Sequence, residues 1–242
     1  MIRSLGIAFS FLTRAPVPGG GPTVADAELG RAISYFPLVG LALGAAVAGV
    51  VSGLGLLVPG PLVAVGAVAF LALVTGGLHI DGVADLFDAL GGGRGDRARM
   101  LEIMRDSRVG AHGATAVSLV MVAKVAALWL ALGQQNVLIA FPLVGRWAVV
   151  PLVAMFPYAR ETGIGHSFNA HAGLRQVGIA TALLCAALWW LGPGELALGV
   201  VAALVVSVSI GVAMSRRLGG LTGDVYGAAI ELAELAFLAC AV

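Results

Sequence analysis

The chain has 242 residues, of which 60% are hydrophobic and only 11% are charged. Soluble domains carry about 25% charged residues, so this composition excludes a soluble globular protein and predicts an all-α helix bundle within a membrane. The net charge of +1 excludes the broadly basic surface that binds nucleic acid.

The N-terminal segment, residues 1–37, is predicted to be cytoplasmic or interfacial. Residues 1–14 combine basic residues with a short apolar run, and no small-residue cleavage site follows. This pattern favours an amphipathic helix at the membrane interface over a signal peptide. The Pro- and Gly-rich residues 16–22 are expected to connect this helix to the rest of the chain.

Seven later stretches approach the roughly 20 apolar residues that a helix needs to cross a bilayer core. They are residues 38–58, 61–78, 109–132, 136–156, 174–191, 196–214 and 225–242. The sequence therefore predicts a polytopic membrane protein with about seven spans.

The basic residues lie on one side of these predicted spans. Connectors 59–60, 133–135 and 192–195 contain no Lys or Arg. The other connecting and terminal segments contain Arg3, Arg14, Arg31, Arg94, Arg97, Arg99, Arg105, Arg108, Arg160, Arg175, Arg216 and Arg217. Because cytoplasmic loops are enriched in Lys and Arg, the N-terminus and the long loops are predicted to face the cytoplasm.

Residues 79–108 form the predicted active-site segment, which is first acidic and then rich in arginine. Asp81, Asp85 and Asp88 follow the pattern D-x3-D-x2-D, so all three share one helical face. Like charges on an apolar helix near lipid require a compensating cation. Oxygen ligands favour a hard ion, and Mg²⁺ prefers a few carboxylates with water and substrate phosphate. The spacing therefore predicts a Mg²⁺ site.

The glycines at 91–93 are expected to end this helix, and an arginine-rich stretch follows. Its M-R-D-S-R sequence predicts contacts with an anionic, phosphate-bearing substrate from Arg105, Asp106, Ser107 and Arg108. The alternative is that the loop arginines only determine topology. For Arg97 and Arg99, the topological and the functional interpretation are equally well supported. His79 is either a substrate contact or a packing residue.

Four ionisable residues lie within the later predicted spans. Asp224 and Glu231 are seven residues apart in an otherwise apolar helix, which makes both of them functional candidates. Lys124 and Arg146 should each face the bundle interior and pair with an acid or with a substrate phosphate. The phosphate role is favoured for Arg146, and Lys124 fits a structural role equally well. On the basic side, residues 158–171 form either a solvated loop or a further part of the site, and they include Arg160, His166, Asn169 and His171.

Several motifs resemble the cobalamin synthase family, the adenosylcobinamide-GDP ribazoletransferases. They are F-L-T-R-x-P-V-P, G-G-L-H-x-D-G-x-A-D-x-x-D-x-L, M-x-D-S-R-x-G, G-R-W and G-G-x-T-G-D-x-x-G-A-x-x-E. The resemblance runs from about residue 9 to about residue 234. His112 departs from the family pattern, in which an aromatic residue is more usual.

The resemblance implies one domain, residues 1–242, that acts as a Mg²⁺-dependent phosphotransferase. It is expected to be multi-pass in the cell inner membrane, with the active site facing the cytoplasm. The implied reaction condenses adenosylcobinamide-GDP with α-ribazole, or with its 5′-phosphate, and releases GMP. Besides these substrates and the bilayer, the interpretation leaves open a homo-oligomer or a complex with other corrinoid-pathway enzymes.

The same resemblance implies roles for the residues singled out above. Asp81, Asp85 and Asp88 would bind Mg²⁺, and Asp224 would complete the site or act as the general base. Arg105, Arg108 and Arg146 would hold phosphates.

Two other functions are left open by the residues. The motif D-G-x-A is also a fragment of the CDP-alcohol phosphotransferase signature. A secondary transporter is the other alternative, in which Asp81, Asp85 and Glu231 would relay protons or Na⁺. Because the acidic cluster lies beside an arginine-rich cytoplasmic loop, chemistry on a cytosolic phosphate substrate is favoured.

Overall fold

A computed structural model describes residues 2–15 and 24–242 of the chain, so the predicted connector at 16–22 lies outside the described residues. The described residues are helical, apart from turns and one parallel bridge between Tyr158 and Leu221, which confirms the all-α prediction. The helices are α1 Ile2–Leu12, α2 Asp26–Ala32, α3 Phe36–Leu54, α4 Gly60–Thr75, α5 Leu78–Gly92, α6 Arg97–Ile103, α7 Ala111–Leu130, α8 Gln135–Ala148, α9 Val150–Met155, α10 Ile164–Ala170, α11 Leu174–Leu191, α12 Pro193–Leu218 and α13 Gly223–Ala241.

Five helical stretches are long and apolar enough to cross a membrane, and the pair α4 and α5 makes a sixth if it is counted as one span. The five are Asp26–Leu54, Ala111–Leu130, Gln135–Met155, Leu174–Leu191 and Pro193–Leu218. The prediction of about seven spans also included α4 alone and α13. α4 has only 16 residues, and α13 carries three carboxylates.

The outer surfaces of several helices present large apolar side chains. Leu62, Leu119, Trp190 and Val205 are more than half exposed, and they lie on α4, α7, α11 and α12. Exposed apolar residues at this density suit contact with lipid rather than with water. Helix α1 buries Ile7, Ala8 and Leu12 against protein, and its position relative to a membrane stays a prediction.

The chain turns sharply between α4 and α5. Gly76 and Gly77 have φ angles of +67° and +73°, a left-handed conformation that glycine adopts without a steric penalty. The axis of α5 therefore bends by 91° from that of α4. The helix ends at Gly92, as the glycines at 91–93 predict.

Helix α13 occupies the centre of the bundle, where it packs on α5, α7, α8 and α12. Most of its side chains are buried, including the carboxylates of Glu231 and Glu234. A second large contact joins α3 to α8. This arrangement places the N-terminal half of α5 across the first turns of α13.

Candidate active site

Helices α5 and α13 approach each other closely at two glycines. A Cβ atom on Gly82 would lie 2.5 Å from the backbone oxygen of Asp224. A Cβ atom on Gly227 would lie 3.2 Å from the Cα atom of His79. A side chain at position 82 would clash with the backbone of α13, and one at position 227 would make a tight contact with α5. The approach brings the acidic face of α5 against the start of α13.

Asp85 lies half-buried at this crossing among other carboxylates. Burial, and then the charges of Asp224 and Asp81, raise the pKa of Asp85 to about 7, against a smaller opposing effect of Arg160. Arg160 therefore does not offset the effects of burial and of the two carboxylates. A bound cation would favour the ionised form of Asp85.

Asp224 is held by a cation that lies outside the predicted site. Arg160 donates a hydrogen bond of 2.7 Å from Nη2 to Asp224 Oδ2, and the Thr222 hydroxyl lies 3.3 Å from the same oxygen. The bridge between Tyr158 and Leu221 fixes the loop that carries Arg160. Of the two interpretations of residues 158–171, the contact between Arg160 and Asp224 favours a part in the site.

Asp88 points to the N-terminus of α7. Its two carboxylate oxygens accept hydrogen bonds of 2.7 Å and 2.8 Å from the backbone N–H groups of Gly110 and Gly113. A carboxylate in this position also interacts favourably with the helix macrodipole. The structure thus gives Asp88 a capping contact, and its role as a metal ligand stays a prediction.

The donor set at the crossing fits a hard cation. Among the described residues, no group of three or more His, Cys, Asp or Glu side chains is arranged to hold a metal ion by itself. Mg²⁺ usually needs only one or two carboxylates, because water and substrate phosphate complete its octahedron. Asp81, which is exposed, and Asp85 meet that requirement.

The predicted substrate-binding residues 105–108 lie on an exposed loop. Arg108 donates to both oxygens of Asp106, at 2.6 Å and 3.0 Å, and this hydrogen bonding lowers the pKa of Asp106 to about 2. Arg105 and Arg108 line an open depression of about 330 Å³, and Ser107 is exposed. The loop stays next to the crossing because Met104 accepts a hydrogen bond from Arg160.

Arg97 has a structural contact that the sequence does not indicate. Its guanidinium donates to the backbone oxygens of Leu218, at 2.6 Å, and Ala159, at 3.4 Å. These bonds tie α6 to the end of α12 and to the loop before Arg160. Arg97 therefore does more than determine topology.

Four buried charges form an ionic cluster inside the bundle, made of Lys124, Arg146, Glu231 and Glu234. Lys124 pairs with Glu231 and, at 2.6 Å, with Glu234, and Arg146 also pairs with Glu234. All four side chains are almost completely buried. Two cations and two anions in contact leave no net charge to be solvated inside the membrane.

This cluster contains Arg146 and Glu231, which are both predicted to bind substrate. The structure pairs Arg146 with Glu234 and Glu231 with Lys124, away from the surface, and an acid is one of the two partners left open for Arg146. A substrate contact of either residue stays a prediction. The physical reason is that an apolar bundle stabilises a charge by pairing it with the opposite charge. Glu234 has no predicted role, although its spacing of one turn from Glu231 indicates the same helical face.

His79 connects the ionic cluster to a cavity. Its Nδ1 atom lies 3.4 Å from Arg146 Nη2, and its ring lines an enclosed space of about 190 Å³. Asp81 and Asp224 line the same space, together with apolar residues of α1, α3, α9 and α10. A wider groove of about 810 Å³, lined by Arg14 and Thr13 among others, meets this cavity at Asp81. The cavity and the groove thus meet beside α5, next to Asp81, Asp224 and His79.

Comparison with known proteins identifies close relatives over the whole chain. The family model described as cobalamin-5-phosphate synthase matches residues 4–242. A protein of Klebsiella pneumoniae is 44% identical, and the match covers 98% of both chains. A protein of Escherichia coli is 42% identical over 95% of both chains. A protein of Geotalea daltonii is 39% identical over 97% of this chain and 95% of the relative. All three are named adenosylcobinamide-GDP ribazoletransferase. No solved structure matches the chain.

Proposed function

Because the chain belongs to the cobalamin-5-phosphate synthase family, we propose that it transfers the adenosylcobinamide phosphate of adenosylcobinamide-GDP to α-ribazole, or to α-ribazole 5′-phosphate. The products are adenosylcobalamin, or its 5′-phosphate, and GMP. The observation that carries the proposal is the carboxylate cluster at the α5–α13 crossing, with Arg160 paired to Asp224. The relatives' shared name supports the same substrates.

The reaction is a phosphoryl transfer from a diphosphate to an alcohol. A ribose hydroxyl of α-ribazole attacks the phosphorus atom next to the corrinoid, and the bond from that phosphorus to GMP breaks. The hydroxyl proton passes to a carboxylate at the crossing, for which Asp224 is a candidate. Asp81 and Asp85 lie on the same side of the bundle as the arginines, so acid and phosphate-binding groups are available together.

Mg²⁺ is the proposed cofactor, and Asp81, Asp85, Asp88 and Asp224 are the residues proposed to hold it. When bound, the ion would neutralise the diphosphate and stabilise the charge that develops on the leaving GMP. Arg105 and Arg108 are proposed to hold phosphate oxygens from the exposed loop. Arg160 joins them as a positioning residue, since it orients Asp224.

The proposed location is the inner membrane, with the active site on the cytoplasmic side. The distribution of basic residues supports this orientation, because the connecting segments on this side carry Arg94, Arg105, Arg108 and Arg160. Counting α4 and α13 as crossings would give the seven predicted spans. The basic residues of the N-terminal segment support a cytoplasmic N-terminus.

The experiment is a GMP-release assay on the full chain reconstituted in liposomes. The protein receives adenosylcobinamide-GDP and α-ribazole, with Mg²⁺ or with EDTA, and GMP is followed by chromatography. We expect Mg²⁺-dependent GMP release with a matching cobalamin product. Asp85→Asn should abolish it, and Glu161→Gln, which changes an exposed acid, should not.

Each other outcome contradicts one part of the proposal. Equal release with EDTA would exclude the metal, and full activity of Asp85→Asn would remove the carboxylate cluster from the mechanism. Release of CMP from a CDP-alcohol, without GMP release, would identify the other class of phosphotransferase. Uptake of a labelled solute without GMP release would instead identify a transporter.

A further inference from the structure

The enclosed cavity of about 190 Å³ lies between the α5–α13 crossing and the helices α1, α3, α9 and α10. We infer that this space, here called the base cavity, binds the planar aromatic base of the nucleoside substrate. The inference rests on the proposed function, and it adds the location and the selectivity of one substrate subsite. It predicts that the enzyme favours a neutral two-ring base without polar groups on its edge.

Three phenylalanines form one side of the base cavity. The ring centroids of Phe11 and Phe168 are 4.6 Å apart, and those of Phe36 and Phe168 are 5.9 Å apart in an edge-to-face arrangement. The rings come from three separate segments of the chain, and Val149 and Val153 extend the apolar surface. Aromatic walls stabilise a flat ring by stacking and edge contacts.

Acidic residues form another side of the same cavity. Asp81 and Asp224 line it from α5 and α13, next to His79. In a nucleoside, one bond joins the flat base to the ribose. A base against the phenylalanines would therefore leave a ribose hydroxyl beside the carboxylates, where the attack on phosphorus is proposed to occur.

The volume of the base cavity excludes the corrin ring of the other substrate. An engineered apolar cavity of about 150 Å³ accepts benzene, and sites for drug-sized ligands begin at about 300 Å³. A cavity of about 190 Å³ thus suits one small fused ring system and is too small for a corrin. The phenylalanine side of the cavity offers no hydrogen-bond partner, so it favours a base whose edge there is apolar.

His79 borders the base cavity. Arg146 can only donate, so the Nδ1 atom of His79 accepts and the neutral ring carries its proton on Nε2. This Nε2 atom is buried, has no surface open to the cavity and has no hydrogen-bond partner among the residues that the structure describes. Recognition of the base is therefore assigned to the phenylalanine surfaces and not to a hydrogen bond from His79.

The test compares the KM values of both substrates in the full chain in liposomes. Phe168→Ala should raise the KM for α-ribazole at least tenfold and leave the KM for adenosylcobinamide-GDP within twofold. Phe141→Ala is the matched control, because Phe141 is a fully buried phenylalanine of α8 that does not line the cavity. Val153→Phe, which fills the cavity instead of enlarging it, should raise the same KM.

A binding measurement tests the cavity without enzyme turnover, and it does not rely on the folding of a single variant. Free dimethylbenzimidazole should raise the thermal unfolding temperature of the wild-type protein, and Val153→Phe should abolish this shift. In wild type, the α-riboside of adenine should be the poorer substrate.

Three results would overturn the inference: equal rises of both KM values, the same effect in Phe141→Ala, or protection by a fatty acid but not by dimethylbenzimidazole. Wild-type protein that binds dimethylbenzimidazole without releasing GMP would contradict the proposed function alone.

Discussion

The capping contact of Asp88 gives a prediction that separates structure from catalysis. We expect Asp88→Ala to destabilise the protein, because the N–H groups of Gly110 and Gly113 lose the carboxylate that accepts them at 2.7 Å and 2.8 Å. Asp85→Ala should not destabilise it, because the neighbouring carboxylates already disfavour the charge at Asp85. The two substitutions remove the same group from the same face of α5.

The magnitude follows from the two hydrogen bonds. A hydrogen bond to a charged acceptor contributes about 1.5–3 kcal/mol. Asp88 is only half-buried, so the lower end applies and the loss is about 3 kcal/mol for both bonds. For a chain of this size, 1 kcal/mol corresponds to about 2–4 °C, so the unfolding temperature should fall by roughly 6–12 °C. Asp88→Asn, which keeps one accepting oxygen, should lose about half as much.

The assay is thermal unfolding of the detergent-purified protein, with GMP release measured at a temperature where every variant is folded. Wild type and Asp85→Ala serve as references. Equal unfolding temperatures for Asp88→Ala and wild type would refute the capping role. If Asp88→Ala is also inactive while fully folded, the carboxylate has a second role at the metal.

Three further predictions concern contacts that hold the site together. Lys124→Met should destabilise the protein by about 3–5 kcal/mol, since it leaves an uncompensated buried acid, and adding Glu231→Gln should restore most of the unfolding temperature. Arg160→Gln should lower kcat at least tenfold with a smaller change in unfolding temperature; unchanged kcat would mean that its ion pair does not position the site. Gly82→Leu should separate α5 from α13 and abolish activity, whereas Gly178→Leu, where a side chain meets open space, should be silent in both GMP release and unfolding.

The helical composition and the acidic face of α5 could be predicted because both depend on local periodicity. The spacing of Asp81 and Asp85 correctly predicts that both lie on one face of α5, and their part in a metal site stays a prediction. The turn at Gly76 and Gly77 is harder to predict, since a glycine inside an apolar run is compatible with a straight helix. The predicted second span at 61–78 therefore overlaps the start of α5, and the change of direction is visible only in three dimensions.

Contacts between distant segments explain the remaining differences. The pairing of Arg160 with Asp224 joins residues 64 positions apart, and no periodic pattern links them. The same holds for Arg146, for which an acid and a phosphate are equally good partners until α13 is placed beside α8. No pattern in the sequence links Phe11, Phe36 and Phe168. Their meeting around a cavity depends on the packing of three segments.

The ionic cluster can form only after the last helix of the chain has been synthesised. Lys124 and Arg146 belong to helices that leave the ribosome before α13 brings Glu231 and Glu234. A lone Lys or Arg near the centre of a helix costs about 2.5–3.5 kcal/mol during insertion. Contact with Glu231 and Glu234 neutralises both cations, so the bundle gains this stabilisation only after its last helix has been made.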